Sequence, residues 1–323
     1  MKIKGVCMEN NTSTFQLTLL TMALSLVFGA PNANAAFSCA AGTGPASTEC
    51  GESNIASGGN STAVGVGNNA TALGSTAVGD GNNANGRAAT AVGFLNTASV
   101  QDSTAVGRVN TASGNGSNAF GYSNTAAGIS STAIGTVNTV ASLGGTAIGV
   151  GNVVNSNFSS AMGAYSSIGT TSSYSIAIGN GFGLDSGAVV GNGAESAIAI
   201  GLASNVLNNA TNAIALGTLS TAGALNSAAI GTNAGAYAED SIAIGRFSQA
   251  DTTASSGIAI GTSSRATGLG STVIGAGARG IGLNSIAIGN SADAIHNNSV
   301  AIGTNSTTSA DNTVSVGSVG NER

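Results

Sequence analysis

The apolar positions of this chain recur on a beat of fourteen residues. Again and again a small residue, usually Ala, is followed by an aliphatic residue and then Gly, as in Ala63-Val64-Gly65 and Ala243-Ile244-Gly245. The glycines that close such triplets stand at 65, 79, 93, 107, 121, 135, 149, 163, 179, 191, 201, 217, 231, 245, 261, 275, 289, 303 and 317, and 13 of the 18 intervals are 14 residues. The beat falters between Gly163 and Gly217, where the intervals run 16, 12, 10 and 16, and again between Gly245 and Gly261. Fixed self-similarity of this length marks stacked coils. Fourteen residues are too few for a helix, a strand and two turns. At about 3.3 Å per residue they suffice for two short strands of four or five residues with tight corners. The pattern therefore predicts an all-β parallel solenoid of 14-residue repeats.

Five columns follow from aligning the coils. The residue before each marked Gly is apolar throughout and includes Ile134, Ile148, Ile178, Ile200, Ile230, Ile244, Ile260, Ile274, Ile288 and Ile302. This column is expected to form either the core or the contact between copies. The residue before it is almost always Ala, so both faces of the strand are apolar and both should be covered. The Gly itself is expected where the chain turns at a strand end, with positive φ or a close backbone excluding a side chain. Three residues on, Asn68, Asn82, Asn96, Asn110, Asn124, Asn138 and Asn152 give way to Ser166, which reads as a ladder of stacked amides. A Thr column at 62, 76, 90, 104, 132 and 146 turns into Ile or Val later and is expected to be interior or at an interface. A thin roll has room inside for only one face of the strand. The other would leave a stripe on the order of 900 Å² exposed, most simply hidden by identical copies in parallel around an axis.

Composition narrows the chemistry. Of 323 residues only 7% are charged, the net charge is −5, and there is one His and no Trp. No basic patch exists, so nucleic acid is excluded as a partner. The acidic residues are scattered, and the calcium-binding nonapeptide rhythm is absent. Lone His296 has no catalytic company. No catalytic residue, metal site or cofactor is expected, and the chain does not read as an enzyme. Phe15 to Gly29 is apolar, follows Lys2 and Lys4, and precedes Ala33-Asn34-Ala35, the order of a secretory leader cut after Ala35. Cys7 would leave with it. Cys39 and Cys50 remain and, in an oxidising compartment, are expected to form a disulfide that caps the array.

At "NSIAIGNSA" (284–292), "DSIAIGRFS" (240–248) and above all "NSVAIGTNS" (298–306) the phrase resembles the head repeat of the YadA-like trimeric autotransporter adhesins. Asn298, Ser299, Val300, Ala301, Ile302, Gly303 and Ser306 fit its fixed positions and are taken as the family adhesion motif. The resemblance implies a left-handed β-roll, a parallel homotrimer at the bacterial surface, and adhesion to matrix proteins such as collagen. Residues 312–323 resemble the start of the family's neck, with no stalk heptads or membrane strands after them. The domains then read as leader 1–35, cap 36–54, head repeats 55–311 and truncated neck 312–323. The localisation expected is export, then the cell surface if joined to an anchor and the extracellular space otherwise, with no membrane insertion by this chain. A structural fibre of a phage or surface appendage is the alternative, and an ice-binding solenoid a further one.

Overall fold

In the computed structural model residues 39–183 and 186–318 are described; the expected leader lies outside them. The chain divides into two compact units, residues 1–109 and 110–323. Each is a parallel β-solenoid whose coil carries one longer and one two-residue strand. In the first unit the longer strands are Thr48–Glu52, Thr62–Val66, Thr76–Asp80, Thr90–Phe94 and Thr104–Arg108. They pair in parallel with like residues opposite: Thr62 on Thr76, Ala63 on Ala77, Val64 on Val78, Gly65 on Gly79. Among the described residues of the second unit fourteen longer strands run from Asn118–Tyr122 to Val314–Val316. Up to Ile176–Asn180 they have five residues; from Ile198–Ile200 on they have three.

The interior is built of small residues because a coil of this length leaves only a narrow lumen. Ala63 from the longer strand, Asn68 at one corner, Ala70 from the short strand and Ser75 at the other corner are the buried residues of one coil. The next coils repeat them as Ala77, Asn82, Ala84 and then Ala89. Where one column swells, another shrinks. The short-strand column widens to Val140, Val154, Ile168, Val190 and Val206. Beside the first of these the inward Ser position becomes Gly145, where an added Cβ would lie 2.7 Å from Val140 Cγ1. Val273 replaces the usual Ala of the longer strand, and Gly280 replaces the usual Ala of the facing short strand. A methyl at Gly280 would come within 2.7 Å of Val273 Cγ2. Close packing leaves little slack for a methyl group at these two sites, so a Gly stands where the larger side chain needs the room.

The marked glycines carry both properties expected of them. Gly65 has φ 120° and Gly79 φ 122°, and a Cβ on Gly65 would overlap the carbonyl oxygen of Gly79. In the Asn-bearing coils, however, the Gly lies within the strand rather than at its end, as in Thr62–Val66. The buried Asn holds that geometry. Asn82 Nδ2 donates to Asn68 Oδ1 at 2.9 Å, to the Val78 carbonyl at 3.0 Å and to the Gly93 carbonyl at 2.7 Å. In the later coils Ser or Ala fills the column, and the strand stops before the Gly. There the chain makes a tight turn closed on the Gly carbonyl, to which Ser248 donates from its backbone N at 3.2 Å and from Oγ at 2.8 Å.

Three readings of the repeat are corrected. Gly191 does not close a longer strand: Val189–Val190 is a short strand paired with Ser167–Ile168 and Asn205–Val206. The intervals of 12 and 10 are therefore one enlarged coil running from Gly179 to Gly201. A coil also precedes the first mark, within the segment read as cap: Thr48–Glu52 pairs in register with Thr62–Val66. At the far end Val314–Val316, assigned to the neck, still pairs in register with Val300–Ile302.

Candidate functional site

The longer strands decide what the molecule shows to others. Alternation along a strand sends successive side chains to opposite faces. Because Ala faces the lumen, the residues on either side of it face out. The Ile column is thus not core. Ile134, Ile148, Ile274, Ile288 and Ile302 are exposed, and Ile178, Ile200, Ile230, Ile244 and Ile260 are half-buried. The Thr column is not interior either. Thr62, Thr76, Thr90 and Thr104 are half-buried on the same outer face as Val64, Val78, Val92 and Val106. Toward the C-terminus this face becomes almost wholly aliphatic: Ile198 with Ile200, Ile242 with Ile244, Ile258 with Ile260, Ile286 with Ile288, Val300 with Ile302. None of its outward strand positions from Asn118 to Val316 carries a charge.

The conserved-looking phrase at 298–306 serves the coil itself. Asn298 takes a left-handed corner, φ 50°, and donates to Asn312 Oδ1 at 3.3 Å. Ser299 is buried and its Oγ donates to the His296 carbonyl at 2.5 Å. Ala301 fills the lumen, Gly303 has φ 108°, and buried Ser306 donates from Oγ to the Ser315 carbonyl at 3.0 Å. From the strand, Val300 and Ile302 turn their side chains outward. Most of the phrase thus closes and packs its own coil.

Other chemistry is sparse. Cys39 stands opposite Cys50 in the antiparallel pair Cys39–Ala41 with Thr48–Glu52, and the two sulfurs are bonded. On the short-strand side Arg265 pairs with Asp251 at 2.7 Å and Arg279 with Asp293. His296 Nδ1 lies 3.1 Å from Thr308 Oγ1. Phe158 and Tyr174 stack at 5.6 Å on neighbouring coils. Among the described residues no group of three or more His, Cys, Asp or Glu could hold a metal ion, and no helix is long and apolar enough to cross a membrane.

A sequence model of the YadA head domain repeat matches residues 56–82, 84–108, 112–137, 209–234, 222–248, 253–278, 281–306 and 297–318, more than half of the chain. This chain belongs to the YadA head-repeat family, the heads of YadA-like adhesins. A crystal structure of the collagen-binding domain of the Yersinia adhesin YadA is similar at 28% identity, over 46% of this chain and 84% of that one, with a TM-score of 0.40. No curated protein matches. The YadA head matches leave out residues 138–208. That stretch carries the widened Val and Ile column and the enlarged coil, so the family phrase fades where the lumen departs from its usual Ala lining.

Proposed function

We propose that this chain is the head of an exported adhesin that works as a parallel homotrimer and binds host extracellular matrix, collagen included, or other cells. The observation that carries the reading is the outer face of the longer strands from Asn118 to Val316, uncharged and almost wholly aliphatic toward its C-terminal end, set on a family phrase shared with adhesin heads. An apolar face of that length is unfavourable in water and is relieved when copies lie against each other. The short-strand face and corners then remain outside and repeat coil after coil. A site of low intrinsic affinity presented many times gains roughly 10² to 10⁴ in avidity without any new contact. The adhesin reading implies the cell surface when the head is anchored and the extracellular space otherwise. Sedimentation of the exported protein beside binding to immobilised collagen and intact cells tests this. A trimer that is retained on at least one surface supports it. A monomer at every concentration, or a trimer that ignores every matrix protein and cell offered, refutes it.

A further inference from the structure

The corners that lead from a short strand to the next longer strand differ in length. Most have five residues, as between Thr221–Ala222 and Ala228–Ile230. The three coils before that one have seven, at 169–175, 191–197 and 207–213. Where the longer corners give way to the shorter, the short-strand side carries an open depression of about 500 Å³, lined among others by Val189, Asn205, Leu207, Asn208 and Gly223. Small-molecule sites span about 300–1,000 Å³. Tyr237 borders it. Its ring lies over Gly235, where an added Cβ would overlap the ring's Cε2. Gly223 is the equivalent of Tyr237 one coil back. A Cβ on it would stand 3.2 Å from Tyr237 Cδ1 and 3.3 Å from Leu207 Cδ1. Its φ is not in the left-handed region, and later coils carry Asp251, Thr267 and Ile281 at this position. The gap between Leu207 and Tyr237 is thus open because a side chain is missing, not because the backbone turns there.

The polar groups of the depression keep bonding capacity. Asn205 is half-buried, and its side chain has no hydrogen-bond partner among the described residues. Asn208 Oδ1 accepts from the Asn192 backbone N at 2.8 Å, which fixes the amide and leaves Nδ2 to donate. No charged residue lines the depression. Asp251, one coil beyond Tyr237, is engaged by Arg265 and by Thr267 Oγ1. We infer that this depression is a binding site for a neutral saccharide. An amide with both donor and acceptor to offer is complemented by hydroxyl groups, which also do both. A sugar ring adds a C–H face that suits Val189, Leu207 and the Tyr237 ring, an apolar body with a polar tip. An ionised ligand would meet no counter-charge there. Tyr237 is the one aromatic residue of its column among the described residues, so the site stands apart from the repeating surfaces of the matrix reading. It is open in a single copy and does not depend on assembly.

The chain has four tyrosines, Tyr122, Tyr165, Tyr174 and Tyr237. The exported protein carrying fluorotyrosine therefore gives four fluorine resonances, assigned through single Tyr→Phe variants. The probes are lactose, maltotriose, mannobiose and chitobiose, with sialyllactose as the charged comparison and a collagen-like triple-helical peptide as the peptide comparison. At least one neutral probe should shift the Tyr237 resonance saturably and leave the other three in place. Gly223→Thr fills the gap with a residue that Thr267 already supplies in the same column, and should weaken binding about tenfold or more. Asn205→Ala should weaken it about two- to tenfold. No saturable shift with any neutral probe overturns the inference. So does a shift shared by all four tyrosines, or one caused by sialyllactose alone or by the peptide alone. Unchanged affinity in Gly223→Thr overturns it too; where that variant does not fold, unchanged affinity in Asn205→Ala does so. Binding to immobilised collagen is read on the same samples, so the matrix reading and the saccharide site stand or fall separately.

Discussion

Asn124 offers the sharpest test of how the Asn-bearing coils hold their shape. It is fully buried. Its Nδ2 donates to Asn110 Oδ1 at 3.0 Å, to the Phe120 carbonyl at 3.0 Å and to the Gly135 carbonyl at 2.7 Å. Its Oδ1 accepts from the backbone N of Asn138 at 3.0 Å and from Asn138 Nδ2 at 2.9 Å. Replacing it by Ala strips partners from groups that water cannot reach, at about 1–3 kcal/mol for each group left unpaired. With two such groups the expected loss is about 2–6 kcal/mol. Ser should cost only about 1–2 kcal/mol, because Ser166 shows what a hydroxyl does at this position. Its Oγ reaches the Met162 carbonyl at 3.1 Å and the Gly179 carbonyl at 3.2 Å, the same pair of acceptors. Asp is the informative extreme. It has the shape of Asn but turns a carboxylate oxygen toward carbonyl oxygens, so Asn124→Asp should be the worst of the three at neutral pH. Protonation restores a donor, so its carboxyl takes up a proton more readily folded than unfolded. The loss is therefore smallest below about pH 4 and grows as the pH rises. Solenoids unfold piecewise, so the assay is native-state hydrogen exchange at the Asn138 amide, with denaturant melts beside it. Equal losses for Ser and Asp at neutral pH would mean that shape, not hydrogen bonding, sustains the ladder.

Gly280→Ala sets a methyl 2.7 Å from Val273 Cγ2 and should lower stability by about 1–3 kcal/mol; adding Val273→Ala should restore most of it, and additive losses in a double-mutant cycle of thermal melts would contradict the pairing. Ala243→Asp, aimed into the lumen, should prevent folding, whereas Ile244→Asp, aimed outward, should keep the β circular dichroism signal and shift the sedimenting mass toward monomer; the reverse outcome would mean the two faces are exchanged. Cys39→Ser should cost at most about 3 kcal/mol, with faster hydrogen exchange confined to the first coils; faster exchange throughout the first unit would show that the disulfide does more than hold an end.

The order of events along a coil was legible because each column has its own chemical necessity. The glycines at 65 and 79 mark where a Cβ would strike the next coil, and Asn82 shows in its spacing the amide that bridges levels. Compensation between Val273 and Gly280 is also written in the sequence, as two departures seven residues apart. It becomes visible only once the two columns are known to face each other across the lumen. Two misreadings have the same root. Val190-Gly191 imitates the aliphatic-Gly phrase, and Glu49-Cys50-Gly51 disguises it. A phrase of three residues does not say which strand of the coil it belongs to.

What the sequence determined by itself was the period, the parallel in-register stacking that a period enforces, and the kinship with adhesin heads. It left open which apolar column lies inside, because Ala and Ile alternate on one strand and hydrophobicity alone admits either to a core. The tertiary structure decided this through width. Two strands joined by tight corners stand too close for two branched side chains to meet, so Ala, Ser and a hydrogen-bonded Asn line the lumen. The larger Val and Ile of the longer strands, Val273 excepted, are turned outward, while the short strands carry the few branched residues that the lumen admits.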